Sequence, residues 1–239
     1  MNTTVVIVCY KSEHLIEKNI DRFDNKANII IIDNSNDKTL RNIIDGKYKN
    51  IKLVTNENNG FGQAANLGAK LADTKYIFFC SPDNYVEEKS IEKLEKISEE
   101  LNDKFSMLIL SDLNDPIASK KLVNETQGVF CFFTKKKDFF DIKGFDENFF
   151  LYYEDVDLIK RALKIKMKLY QVPIRYSNFL GSHNKKYNHA IEVNRNWHFM
   201  WSKFFYYKKH KGYFFALINT LPFLIRSTFR LIINLNKPA

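Results

Sequence analysis

The chain has 239 residues, 45% of them apolar and 27% charged, a balance that suits one large globular domain with or without an appendage and excludes a disordered chain. Lys and Arg number 37 against 28 Asp and Glu, for a formal charge of +9. No acidic residue follows Glu192, whereas Arg195, Lys203, Lys208, Lys209, Lys211, Arg226, Arg230 and Lys237 do; the body is therefore nearly neutral and the tail basic, which argues against a nucleic-acid binder.

In chain order, Thr4 to Cys9 is an apolar, β-branched run that predicts a strand buried on both faces, as in a parallel sheet. Nothing in it resembles the basic and long apolar regions of a signal peptide. Ser12 is placed to cap a helix with Leu15, Ile16, Ile20 and Phe23 on one side. Ile29 to Ile32 and Ile51 to Val54 predict two further strands, and a helix through Ala64, Ala65, Leu67 and Leu71 follows an Asn- and Gly-rich loop. Tyr76 to Cys80 is a fourth strand, and Val86 to Leu101 reads as a helix with Ile91, Leu94, Ile97 and Leu101 on one stripe. Strand and helix alternate through the first hundred residues, which is the mark of βαβ units and an α/β fold. Strands are also expected at Met107 to Leu110, Val129 to Phe133 and Leu169 to Val172, with a helix from about Glu154 through Leu163.

From Trp197 on, the chain reads as aromatic, basic helix, so the division is a domain over 1–196 and a C-terminal amphipathic helical region over 197–239. Its longest uncharged run, Gly212 to Ile225, is shorter than the roughly 20 apolar residues of a membrane span and contains Pro222. A basic helix with an aromatic face suits the surface of an anionic membrane; the alternative is packing on the domain or on a second subunit. Cys9, Cys80 and Cys131 are odd in number and lie in apolar runs, which predicts buried free thiols in a reducing compartment.

Polar clusters follow three of the strands: Tyr10 to Ser12, Asp33 to Asn36, and Ser81 to Asn84. Ligands of parallel α/β sheets bind beyond the carboxyl ends of the strands, so three such clusters point to one pocket, although each alone also reads as a turn or cap. Gly60 to Ala65 spells Gly-x-Gly-x-x-Ala, but it does not directly follow the first strand, and a loop-to-helix turn beside another ligand fits better than nicotinamide binding. The densest chemical signal runs from Asp146 to Asp157, where Glu154, Asp155 and Asp157 follow a wall of aromatics. An apolar surround raises a carboxylate's pKa and suits it to general-base work, while acids at a helix start also have a purely structural use. Asp83 and His183 together supply an oxygen and a nitrogen for a divalent cation; His189, His198 and His210 read as structural.

Taken in order, these pieces resemble the family 2 glycosyltransferases of the GT-A fold, in particular their bacterial rhamnosyltransferase-like branch. The resemblance runs from Val5 to about Phe205. It is carried by Val5 to Lys11, Asp33-Asn34-Ser35, Asn58 to Gly62 with Asn66 and Gly68, Ser81-Pro82-Asp83, Gly144 to Glu147, Phe149 to Leu158, and Arg195-Asn196. It implies a mostly parallel sheet and an inverting transfer of a sugar from a nucleotide-sugar donor to a saccharide or lipid-linked saccharide. It also implies a role in bacterial surface polysaccharide synthesis, in the cytoplasm or on the inner face of the plasma membrane. By the same resemblance Cys9, Tyr10, Asp33, Asn59, Gly60, Asn66 and Ser81 line the donor pocket. Asp83, in the Asp-x-Asp position with Ser81 as its first residue, and His183 hold Mg2+ or Mn2+. Asp155 is the base, with Glu154 beside it. A nucleotidyltransferase needs a Gly-rich basic loop that Cys9 to Ser12 does not supply, and a non-catalytic nucleotide-sugar or membrane-binding module has no need of Asp83 and the acidic pair.

Overall fold

The computed structural model describes residues 2–23, 27–36, 38–45, 47–129, 131–178 and 188–235, without the side chains of 178, 188–192, 227 and 229–235. Strands β1 (Thr3–Cys9), β2 (Asn28–Asp33), β3 (Ile51–Thr55) and β4 (Tyr76–Cys80) alternate with helices α1 (Glu13–Ile20), α2 (Thr39–Ile44) and α3 (Phe61–Leu71). Next come β5 (Asn84–Val86), α4 (Ser90–Glu100), β6 (Met107–Asp112), β7 (Lys121–Leu122), β8 (Phe132–Lys135), α5 (Lys136–Asp141), α6 (Glu154–Lys164) and β9 (Leu169–Asn178). Two long helices, α7 (Asn188–Lys211) and α8 (Tyr213–Leu235), complete the described chain.

The strands form one sheet in the order β3-β2-β1-β4-β8-β6-β9-β5, with β7 on β9. The pairings β2–β3, β1–β2, β1–β4 and β6–β9 are parallel, and those of β8, β5 and β7 are antiparallel. Alternating residues of the parallel strands feed opposite faces. Val5, Ile7, Ile29, Ile31 and Phe78 pack with Ile16, Ile20, Leu40 and Leu94. Val6, Val8, Ile30, Ile32, Ile77 and Phe79 pack with Ala64, Ala65, Phe139, Leu158 and Ile159. This is why β1 and β2 read as unbroken apolar runs: each is covered on both sides.

Three expectations need correction. Val86, expected to open a helix, instead ends an edge strand over residues 84–86 that pairs with Tyr176, Ser177 and Asn178 of β9, and α4 starts only at Ser90. Strand β8 starts at Phe132 rather than Val129. Ser12 precedes α1 without capping it; its hydroxyl donates instead to the Tyr10 carbonyl at 2.8 Å. The three cysteines are buried free thiols, as their apolar settings predict.

Candidate active site

Strands β2, β1 and β4 are neighbours, so their carboxyl ends bring the three polar turns to one edge. The first two turns are stitched together. Asn34 N–H donates to the Cys9 carbonyl at 2.9 Å, Lys11 N–H to Ser35 Oγ at 2.6 Å, and Ser35 N–H to Asp33 Oδ1 at 2.9 Å. A run of amides extends the stitching toward α3: Asn56 Nδ2 donates to Asn34 Oδ1 and to Gln63 Oε1, both at 2.9 Å. Asp33 is buried, whereas Tyr10 stands exposed at the rim. Cys9 is packed into the core; burial pushes its thiol well up, with Asp33 and, more weakly, Asp83 adding to the effect. Asp83 also raises the Cys80 and Cys131 thiols, behind their burial.

The turn that carries Asp83 is fastened from below by a residue the sequence reading passed over. Asn19, on the buried face of α1, donates through its side-chain amide to the carbonyls of Ser81 (3.1 Å), Pro82 (2.9 Å) and Asn84 (3.0 Å). Asn84 Oδ1 in turn accepts from Ser81 N–H at 2.7 Å. The available signal was an amide inside an otherwise apolar helix stripe, between Ile16 and Ile20.

Gly60 joins this edge to the acidic segment. Its φ is +102°, a conformation that favours glycine, and a Cβ there would run into the Phe150 backbone. Next to it, Phe61 N–H donates to the Phe150 carbonyl at 2.9 Å. Asn59 is exposed at the loop's tip. Asn66 is buried and fully engaged: Nδ2 donates to the Phe145 carbonyl and to Glu147 Oε1, and Oδ1 accepts from Phe145 N–H, each at 2.9 Å. The structure thus gives Asn66 the task of pinning the 145–147 turn to α3.

Glu154 and Asp155 open helix α6, directly after Tyr152 and Tyr153, both left-handed (φ 70° and 66°). Two bulky residues in that region form a strained turn. Asp155 Oδ2 accepts from Val129 N–H at 2.7 Å. Val129 comes just before β8, which pairs antiparallel with β4, so β8 starts beside the carboxyl end of β4 from which the Asp83 turn leaves. Burial raises the Asp155 pKa against the pull of the Val129, Val156 and Asp155 N–H groups. Glu154 is only 7% exposed and its Oε2 has no hydrogen-bond partner; burial, with the charge of Asp155 added, pushes it up to about 8. The two carboxyls therefore titrate as a pair that resists a second charge.

The structure thus brings Cys9, Tyr10, Asp33, Gly60, Ser81, Asp83 and the Glu154–Asp155 pair to one end of the sheet. His183 lies outside the described residues, and among those described no group of three or more His, Cys, Asp or Glu is placed to hold a metal ion. Asp157, read from sequence only as part of an acidic run, is fully buried and holds the end of α7.

A three-layer α/β sheet with its polar turns at the carboxyl ends of β1, β2 and β4 and an acidic pair beside them is the GT-A glycosyltransferase fold. The chain belongs to glycosyl transferase family 2, whose pattern matches residues 4–159. It is similar to the rhamnosyltransferase WbbL of Escherichia coli (strain K12), 24% identical over 224 residues that cover 76% of this chain and 84% of that one. Among solved structures it resembles S. aureus TarS 1–349 in complex with UDP (TM-score 0.60, 16% identity, 84% of this chain). It also resembles GalNAc-T7 with UDP, GalNAc and Mn2+ (TM-score 0.58, 17% identity, 80% of this chain). The chain spans 65% and 47% of the length of those two.

Proposed function

We propose that the protein is an inverting glycosyltransferase that moves a hexosyl or rhamnosyl group from a nucleotide sugar to a hydroxyl of a glycan or lipid-linked saccharide, in bacterial surface polysaccharide synthesis. The observation that carries the reading is the half-buried carboxylate of Asp155, held by Val129 N–H just ahead of β8, the strand that starts beside the end of β4 where the Asp83 turn begins. An acceptor hydroxyl has a pKa far above neutrality and needs a base; a carboxylate with a raised pKa supplies one. Asp155 takes the hydroxyl proton as that oxygen forms its bond to the anomeric carbon, and the nucleoside diphosphate leaves from the opposite face. The turns after β1 and β2 hold the nucleoside. Asp83, a hard oxygen donor beside the Ser81 hydroxyl, and His183 would hold Mg2+ or Mn2+; the cation supplies charge neutralisation for the departing diphosphate. TarS with UDP and GalNAc-T7 with UDP and Mn2+ support a nucleotide donor and a cation for this fold. Replacing Asp155 with Asn is expected to lower kcat by about 10²–10⁴ while donor affinity, read by calorimetry, stays the same. Near-normal turnover would remove Asp155 from the role.

The tail fits work on the inner face of a membrane. Phe214 (80% exposed), Ile218 (73%), Leu221 and Ile225 form one apolar stripe along α8. Among the described residues no helix is long and apolar enough to cross a membrane, so this face would lie on the surface. With no acid after Glu192, two copies meeting through this face would set like charges together, whereas anionic lipid supplies the opposite sign at about 1 kcal/mol per basic residue. In vesicle flotation, the Phe214→Asp, Ile218→Asp double variant should lose binding to anionic but not gain it to neutral vesicles. Unchanged flotation of the variant would sink the membrane reading.

A further inference from the structure

Helix α7 packs on the segment that carries the acidic pair through residues from Arg195 to His210. His198 stacks on Phe150 with ring centroids 4.0 Å apart, Ser202 Oγ donates to the Leu151 carbonyl at 2.8 Å, and Phe205 packs edge-on to Phe149. The strained tyrosine turn is held by the same helix. Arg195 Nε donates to Tyr152 Oη at 2.6 Å, Phe199 packs against both tyrosines, and Tyr206 packs against Tyr153. At the far end, Asp157 is fully buried. Its Oδ2 accepts from Arg161 Nε, and its Oδ1 meets Lys209 Nζ and His210 Nε2, each at 2.7 Å. Arg161 continues to the Ile142 and Gly144 carbonyls, and Lys209 to Asp146 Oδ2.

Asp157 lies one residue beyond Val156 in the first turn of α6, so whatever fixes Asp157 also fixes the rotation of that turn and the aim of Asp155. A left-handed Tyr-Tyr turn does not hold itself in place; its restraint comes from outside. We propose that Asp157 is a positioning residue for sugar transfer: by tying α6 to Lys209 and His210, it makes the C-terminal helix α7 part of the catalytic unit. This rests on the reading of Asp155 as the base. A misplacement of about 1 Å at a reacting group costs on the order of 10²-fold in rate, so the tie has a large lever.

The test compares Asp157→Asn, Lys209→Met, His210→Gln and the double variant Asp157→Asn/Lys209→Met with Asp155→Asn, all in the full chain. Asp157→Asn should lower kcat by about 10- to 100-fold with donor Kd within a few-fold of wild type. The acid limb of its kcat profile should move to lower pH, because a loosened turn lets water reach the pair. The groups facing that pair and Asp157 are Tyr153, Lys160, Arg161, Tyr206, Lys209 and His210, and a purely structural loss would leave the limb where it was. Lys209→Met should reproduce the effect in part, and the double variant should be no worse than Asp157→Asn alone. If Asp157→Asn fails to fold, Lys209→Met and His210→Gln on the outer helix decide: lowered kcat with a shifted limb supports the tie, and wild-type values overturn it. A dead Asp155→Asn beside a fully active Asp157→Asn overturns the inference and leaves the base reading standing. An active Asp155→Asn overturns the base reading and the inference with it.

Discussion

The two banks of the site are built from different chemistry. The bank at the ends of β1, β2 and β4 is held mostly by neutral groups: the Asn19, Asn34 and Asn56 amides, the Ser35 hydroxyl and main-chain N–H donors, with the Asp33 carboxylate accepting from Ser35 N–H. The bank at the start of α6 carries ionisable groups withdrawn from water: the buried Glu154 beside the half-buried Asp155, and Asp157 under three nitrogen partners. A neutral hydrogen bond is worth about 0.5–1.5 kcal/mol net, whereas breaking a buried ion pair costs about 3–5 kcal/mol. The difference separates two duties. On the proposed function, a bank that cradles a ligand works mostly with cheap, neutral contacts, while a bank that moves a proton keeps a carboxylate partly out of water, with a long lever of helix to hold it there.

The largest expected break in this contrast is in its pH dependence. Glu154 has a folded-state pKa raised to about 8, against about 4.3 for a free Glu. A carboxyl shifted upward favours the folded state fully below its unfolded pKa, and that contribution is lost as pH rises through the folded value. The wild-type protein should therefore lose stability between about pH 4 and pH 8, by a few kcal/mol at one pKa unit per 1.36 kcal/mol. Glu154→Gln, close in shape to the protonated acid, should match wild type at pH 5 and melt at a higher temperature at pH 9, with a smaller slope left by Asp155. Parallel melting curves across that range would mean that Glu154 is not desolvated in solution.

The same contrast explains how much was legible in the sequence. Strands β1 to β4 and the polar turns after them are local: apolar runs covered on both faces announce themselves, and the turns follow directly. The acidic segment was also visible, as charge behind aromatics, and the ordered motifs led to the right family. What stayed hidden is contact over long separation. Val129 reaches Asp155 across 26 residues, Asn19 reaches Ser81 across 62, and His210 reaches Asp157 across 53. No periodicity encodes such partners. His210 looked structural, and its contact is with Asp157, in the first turn of α6. Strand β5 was missed for the same reason: three residues, only two of them buried, become a strand because β9 runs alongside.

The smaller test lies on the neutral bank. Asn19 donates to three carbonyls of the Asp83 turn while its own Oδ1 is buried without a partner, so its whole contribution comes from the amide hydrogens. Asn19→Ala leaves those carbonyls short of a donor and should cost about 1–3 kcal/mol in urea unfolding. Unlike the effect at Glu154, this loss should be the same at pH 5 and pH 9, since nothing that titrates takes part in the contact. On the proposed function, loosening the turn should also weaken Mn2+-dependent donor binding while leaving metal-free nucleotide binding, assigned there to the β1 and β2 turns, close to wild type. Equal losses with and without Mn2+ would mean that Asn19 supports the sheet edge as a whole, and the division of the neutral bank into a nucleoside part and a cation part would fall.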